Sequence, residues 1–366
     1  MRKSAMLILA CCLAPVLLCQ TEAQPPAAEV PAMEEKRLTS GQYRSLALSN
    51  EAVIDNNSEA SVAWLNLYKA ELYSNYTAHS RTLASDSKQR LDEIARNVND
   101  VIPGSFEASY INYLHGNKSK AAFDELAKAY AMRPYEAELW DEMLARAVIN
   151  GDQAGAKEFA VKLAGSNIYS SAEMEYNRNV LSSTASGSIL ITYGNADTYP
   201  ILIQQYFHQF RTDVKVVCLD WFGSEDYRKK VASWLGLTPG SLTTSLSSSI
   251  DAMLGSSATC YLTLTLPPAE LKKHAARLYL VGLAFRYSTQ PVDNLPELDS
   301  NWRIDFSKSY IAESEPLNRN YILPLSQLEE YYKITGQTAQ HSSVQDLLKR
   351  VAGNSGNEKA VAKYLD

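Results

Sequence analysis

Residues 191–200 read Ile-Thr-Tyr-Gly-Asn-Ala-Asp-Thr-Tyr-Pro, and they bring several polar groups to the end of an apolar run. Asn195 offers an amide, Asp197 a carboxylate and Thr198 a hydroxyl. Asp220 ends the next apolar run, "DVKVVCLD", with Glu225 and Asp226 close behind. Paired carboxylates at such an edge suit the hydroxyls of a sugar or a hard cation. Arg286, after "GLAF", is placed to pair with one of them or to stand as an exposed charge at a strand end. The same residues also have a purely architectural use. Asp197 or Thr198 can cap the helix that follows, Pro200 suits a first turn, and Gly194 suits the turn before it. Capping alone is the favoured reading; capping plus a ligand role is the alternative.

These residues need a sheet to bring them together, and the pattern supplies one. From Ser186 onward, "SILITYG" reads as a strand covered on both faces. "YPILIQQYFHQF" reads as a helix, "DVKVVCLDWFG" as a strand, and "SEDYRKKVASWLGL" as a helix that Gly236 can end. This β-α-β-α order predicts parallel strands with right-handed crossovers. "CYLTLTL" and "ARLYLVGLAF" read as later strands, with "PPAELKKH" a short helix or turn between them. Ligands in open parallel sheets bind beyond the carboxyl ends of the strands, where Asp197 and Asp220 would stand.

Before Ser186 the chain is helical. Trp140 follows Phe106 by 34 residues, Ala147 follows Tyr113 by 34, and Ala156 follows Ala122 by 34. Small residues let two helices of a hairpin approach, aromatics fill the space between hairpins, and Pro134 closes one unit. This resembles the tetratricopeptide pattern. Trp64 and Leu67 place an earlier unit in the same phase, with an insertion from Asn75 to Asn99. A stack this short cannot cover its own ends, so a domain packed on its C-terminal end is expected to cap it. The stack reads either as a partner-binding groove or as a helical spacer.

The expected fold is therefore α + α/β: an N-terminal helical-hairpin, tetratricopeptide-like solenoid packed on a C-terminal α/β domain with a mostly parallel sheet. The boundaries fall at 1–23 for a signal peptide, 24–38 for a flexible linker, 39–185 for the helical domain and 186–366 for the α/β domain. Arg2 and Lys3, the apolar run from Ala5 to Leu18 and the Thr21-Glu22-Ala23 site carry the signal-peptide reading. The apolar run, of about fourteen residues, falls short of the roughly twenty that a membrane span needs. Periplasmic or secreted placement is expected, with a lipid anchor at Cys19 or Cys11 the alternative. Cys218 and Cys260 then remain, as two buried thiols or, less favoured, one disulfide.

The run "ILITYGNADTYPILIQQYFHQFRTDVKVVCLDWF", with "LYLVGLAFRYS" later, resembles the soluble region of a bacterial membrane family related to GT-C-type protein O-mannosyltransferases. Gly194, Asp197, Thr198, Tyr199, Pro200, Arg211, Asp213 and Val214 keep that family's motif, whereas Asn195 and Ala196 depart from it. In that family the tetratricopeptide repeats follow this region rather than precede it. The transferase chemistry is expected in the family's multi-span half, so the resemblance implies a related envelope domain and does not carry over glycosyl transfer.

Composition narrows the rest. Apolar residues make up 46% and charged residues 21%, enough for a packed core. The net charge of -6 and the lack of a Lys/Arg block argue against nucleic acid. No Cys/His metal spacing, Gly-x-Ser-x-Gly elbow or phosphate loop is present, and no cofactor is called for. The sequence thus favours a secreted envelope interaction protein that binds an envelope protein through its repeats. The alternative is a carbohydrate-binding or carbohydrate-active module, with a glycan held by Asp197 and Asp220. Enzymatic activity is not the preferred reading.

Overall fold

The computed structural model describes residues 26–31, 38–76 and 83–364. The signal-peptide and lipid-anchor readings lie outside the described residues. The first half is built of helices: α1 (Ser40–Asn56), α2 (Ser61–Ser74), α3 (Ser85–Val101), α4 (Phe106–His115), α5 (Lys120–Met132), α6 (Trp140–Asn150), α7 (Gln153–Ala164) and α8 (Ser171–Ser182). Their starts are written in the sequence. Thr39 and Gln42 form a capping box at α1, and Ser105, Ser119, Asp152 and Ser170 accept backbone N–H groups at α4, α5, α7 and α8. α4 pairs with α5 and α6 with α7 as antiparallel hairpins. Phe106 and Trp140 open equivalent helices, and Ala122 and Ala156 are buried where the second helices of the two hairpins cross the first. Residues 26–31 lie along α1 and α2: Val30 is buried, and the Asn50 amide donates to the Ala28 carbonyl at 2.9 Å. The prolines of this stretch forbid helix but leave an extended strap free to dock.

The second half holds a sheet of five strands: β1 (Ile189–Thr192), β2 (Lys215–Cys218), β3 (Cys260–Thr263), β4 (Leu278–Leu280) and β5 (Ala284–Tyr287), in the order β2-β1-β3-β5-β4. β1 runs parallel to both β2 and β3, joined through α9 (Asn195–Tyr206), α10 (Glu225–Trp234) and α11 (Leu246–Leu254). α12 (Pro268–His274) follows β3. The run "ARLYLVGLAF" then makes a hairpin, β4 and β5, antiparallel to each other and to β3. Its turn, centred on Gly282, is too short for the crossover that a parallel return requires. The sheet is thus parallel on one side and antiparallel on the other. Ser245 caps α11, so the Ser/Thr-rich run at 240–249 is part turn and part helix.

The chain ends in α13 (Leu295–Ser300), α14 (Ile322–Ile334), α15 (Thr338–Asn354) and α16 (Glu358–Val361). The segment before α14 folds back onto α8, where the Glu175 carboxylate accepts from the N–H groups of Ser309 and Tyr310 at 3.1 and 2.8 Å. Asn179 donates to the Ser307 carbonyl and the Tyr321 hydroxyl at 2.7 and 2.8 Å. α9 packs on α7 and α8, and α10 on α6, so the α/β half covers the C-terminal end of the hairpin stack. Cys218 and Cys260 are free and buried. They sit on β2 and β3 with β1 between them, two strand spacings of about 4.8 Å apart and beyond disulfide reach.

Candidate ligand-binding site

The loop after β1 is held open by two carboxylates. Gly194 takes φ 95° and ψ 164°, a conformation that side-chain-bearing residues avoid. Asp197 Oδ2 accepts from the Tyr193 N–H at 3.2 Å and from the hydroxyls of Thr263 and Thr265 at 2.7 and 2.6 Å. Asp220 Oδ2 accepts from the Gly194 N–H at 2.9 Å. Asp197 therefore ties the β1 loop to the end of β3, and Asp220 ties the end of β2 to the same loop.

Neither Asp197 nor Thr198 caps α9. The helix begins at Asn195 with Gly194 as its cap residue, and no side chain accepts from its first N–H groups. Both residues fall inside the helix, so their side chains turn toward the sheet. Thr198 Oγ1 meets Thr192 Oγ1 at 2.8 Å and Cys218 Sγ at 3.3 Å. Pro200 also departs from expectation, because α9 starts early enough to place it in the second turn. Proline cannot donate to the Ala196 carbonyl one turn back. The Asn177 amide from α8 donates to that carbonyl instead, at 2.9 Å.

Burial shapes the charge of this floor. Asp197 is 2% exposed, and desolvation pushes its carboxyl up to about 6. The three hydrogen bonds to Oδ2 pull the other way, and the nearby Asp220 charge adds to the rise. Oδ1 is buried without a hydrogen-bond partner among the described residues.

Above the floor lies a cavity of about 380 Å³ between the sheet edge and the inner faces of α2, α4 and α6. Asn195 and Asp220 line it; Asp197 and Thr198 lie beneath its surface. Arg286 stands elsewhere. The antiparallel turn-back sets it beside Tyr261, toward the amino end of β3, where it faces Glu297 at 3.4 Å.

The sequence reading missed the rest of the wall. Tyr73, Tyr76, Tyr110 and Tyr113 line the cavity, together with Glu29, Glu136, Glu138, Asp141 and Glu142. Among the described residues, six carboxylates, counting Asp220, and two ammonium groups, those of Lys69 and Lys118, line the cavity. Lys69, its side chain 5% exposed, pairs with Glu138 at 2.7 Å. Lys118 and the Tyr113 hydroxyl both reach Glu142, and the Tyr199 hydroxyl joins them from α9 at 3.1 Å. Burial pushes the Glu142 carboxyl up, but Lys118 and these hydroxyl donors outweigh it and hold it below the usual carboxylate range. Burial raises the Tyr110 and Tyr113 phenols well above their usual range, and the carboxylates of Glu138 and Glu142 respectively add to the effect. One signal for this wall was present in the sequence. Tyr110 and Tyr113, and Glu138, Asp141 and Glu142, recur at the three- and four-residue spacings that share a helix face.

The turn at 219–223, which carries Asp220, seats directly on the helical half. A Cβ on Gly223 would lie 2.1 Å from the Asn117 carbonyl oxygen, so only glycine permits the contact. Residues 173–233, from α8 into α10, match the family described as TMEM260-associated domain 2. This segment supplies Asn195, Asp197, Thr198 and Asp220 but none of the tyrosines that line the cavity. No curated protein and no solved structure matches the chain.

Proposed function

We propose that this chain is an exported, non-catalytic interaction protein of the cell envelope, and that it takes a basic, extended segment of an envelope protein into the cleft between the helical hairpins and the sheet edge. One observation carries the reading. Asn195 and Asp220 open into the same cavity as four tyrosines, and among the described residues that line it carboxylates outnumber ammonium groups by four. Tyrosine faces and carboxylates together favour lysine and arginine side chains, through cation–π attraction and charge pairing.

The wiring of the cleft favours binding over chemistry. A general acid or base needs a pKa poised near the working pH. Glu142 is held low, Glu138 is paired with Lys69, and Asp197 is sealed beneath the floor. The 34-residue spacing of the hairpins supports the tetratricopeptide reading, in which first helices line a peptide groove. The leader-like residues 1–23 support export to the periplasm or beyond, with a lipid anchor as the variant. The motif around Gly194 and Asp213 supports kinship with the soluble region of GT-C-type protein O-mannosyltransferase relatives, and so placement in the envelope.

A second reading takes a glycan as the ligand. Tyrosine rings flanked by Asn195 and Asp220 also suit sugar faces and hydroxyls. Affinity capture from solubilised envelope, read by mass spectrometry, separates the two. The first reading expects one stoichiometric protein partner, lost on Asp141→Lys with Asp220→Lys. A glycan retained by the wild type and lost in the same variant, with no protein partner, overturns the first reading in favour of the second.

A further inference from the structure

A second concavity shares no lining residue with the cleft. It is a groove of about 680 Å³ bounded by α12, β4, β5, α14 and α16. Its volume falls within the roughly 300–1,000 Å³ of small-molecule sites. Leu264, Leu271, Leu278, Phe285, Ile322 and Leu323 form its walls. Five of these are half-buried, and Leu323 is 42% exposed. An apolar wall left partly open to water favours burial of hydrocarbon.

Among the described residues its charge is of one sign. Lys272, Arg319 and Lys363 line the groove, and none of the described residues lining it is acidic. Glu330 acts on Lys363 from outside the lining, and Lys363 lies over the Tyr364 ring at 4.5 Å. This basic rim is set on a chain whose net charge is -6. The Tyr364 carbonyl accepts from the Gln345 amide at 3.1 Å, which fixes the wall carrying Lys363 to α15.

We infer that this groove binds a single-chain anionic amphiphile, with the hydrocarbon against Leu271, Phe285 and Leu323 and the head group among Lys272, Arg319 and Lys363. Concavity selects a monomeric amphiphile over a membrane surface, because a flat bilayer cannot enter a groove between α12 and α14. Charge selects the anionic head, since a cationic one meets three like charges.

Titration calorimetry on the full chain tests this, with dodecanoate below its micelle concentration as the probe. Saturable one-to-one binding is expected. Dodecanol should bind at least about tenfold more weakly, and dodecyltrimethylammonium should show no binding. The surface triple variant Lys272→Glu, Arg319→Glu, Lys363→Glu should weaken dodecanoate at least about tenfold. Ala360→Trp, which fills the groove from an exposed position, should abolish binding. The inference is overturned if dodecanoate shows no saturable binding, if the cationic analogue binds equally, or if these variants bind as the wild type does. It is also overturned if only phosphatidylglycerol vesicles, or only an acidic amphipathic peptide, bind where dodecanoate fails.

Discussion

Asp197 makes three hydrogen bonds through one oxygen and none that the described residues show through the other. The cost has a sign that pH can reveal. Its folded pKa is raised to about 6 from an ordinary 3.8, so the native state favours the protonated form. Below pH 3.8 folded and unfolded chains are both protonated and no penalty applies. As pH rises toward 6 the unfolded chain ionises first, and native stability falls by on the order of 3 kcal/mol before levelling. Paired carboxylates such as Asp213, lowered by Arg211, slope the opposite way. The clean readout is therefore the difference between wild type and Asp197→Asn in urea denaturation. That difference should shift in favour of the variant between pH 4 and pH 6.5 and stay flat above. A difference independent of pH would show that Asp197 titrates normally. Tyr199 offers a second residue-scale test. Its hydroxyl carries α9 to the half-buried Glu142, and a hydrogen bond to a charged group contributes about 1.5–3 kcal/mol. Tyr199→Phe should lower stability by about that amount in chemical denaturation.

At the scale of elements, α9 shows how a helix is repaired across an interface. Pro200 withholds the N–H that the Ala196 carbonyl would accept, and Asn177 from α8 provides it. Asn177→Ala should cost about 1–3 kcal/mol. In a Pro200→Ala background the new backbone N–H can serve Ala196, so the same change should cost less. Additive costs in this double-mutant cycle would contradict the account. The cycle also marks the limit of what the sequence shows. The strand "SILIT", the helix after it and the strand "VVC" are legible because their apolar periods and flanking glycines agree. The start of α9 is not. A proline reads as a first-turn residue unless the partner that compensates for it, 23 positions earlier, is known. Asp197 likewise reads as a cap when its real partners, Thr263 and Thr265, arrive two strands later. Arg286 does not reach these carboxylates for a related reason, since the antiparallel turn-back at Gly282 sets it opposite Tyr261, toward the amino end of β3.

At the scale of the molecule, the cleft exists because two halves with separate signatures close on each other. The hairpin spacing announces one wall and the carboxylates after β1 and β2 announce the other, but their contact depends on backbone approach at Gly223. Gly223→Ala forces the Asn117 carbonyl away from the turn that carries Asp220. Thermal and chemical denaturation should show a loss of about 1–3 kcal/mol, with the capture of the envelope partner weakened beyond what stability alone explains.

The claim on which the account rests is that the ligand enters this cleft. The most direct measurement is site-specific photocrosslinking in envelope preparations, with a benzophenone amino acid replacing Tyr76 or Asn195 in the cleft, or Leu48 on the outer face of α1, where it is 67% exposed. The account predicts one adduct of the same mass from Tyr76 and Asn195 and none from Leu48. Adducts from Leu48 alone, or none from either cleft position, would contradict it.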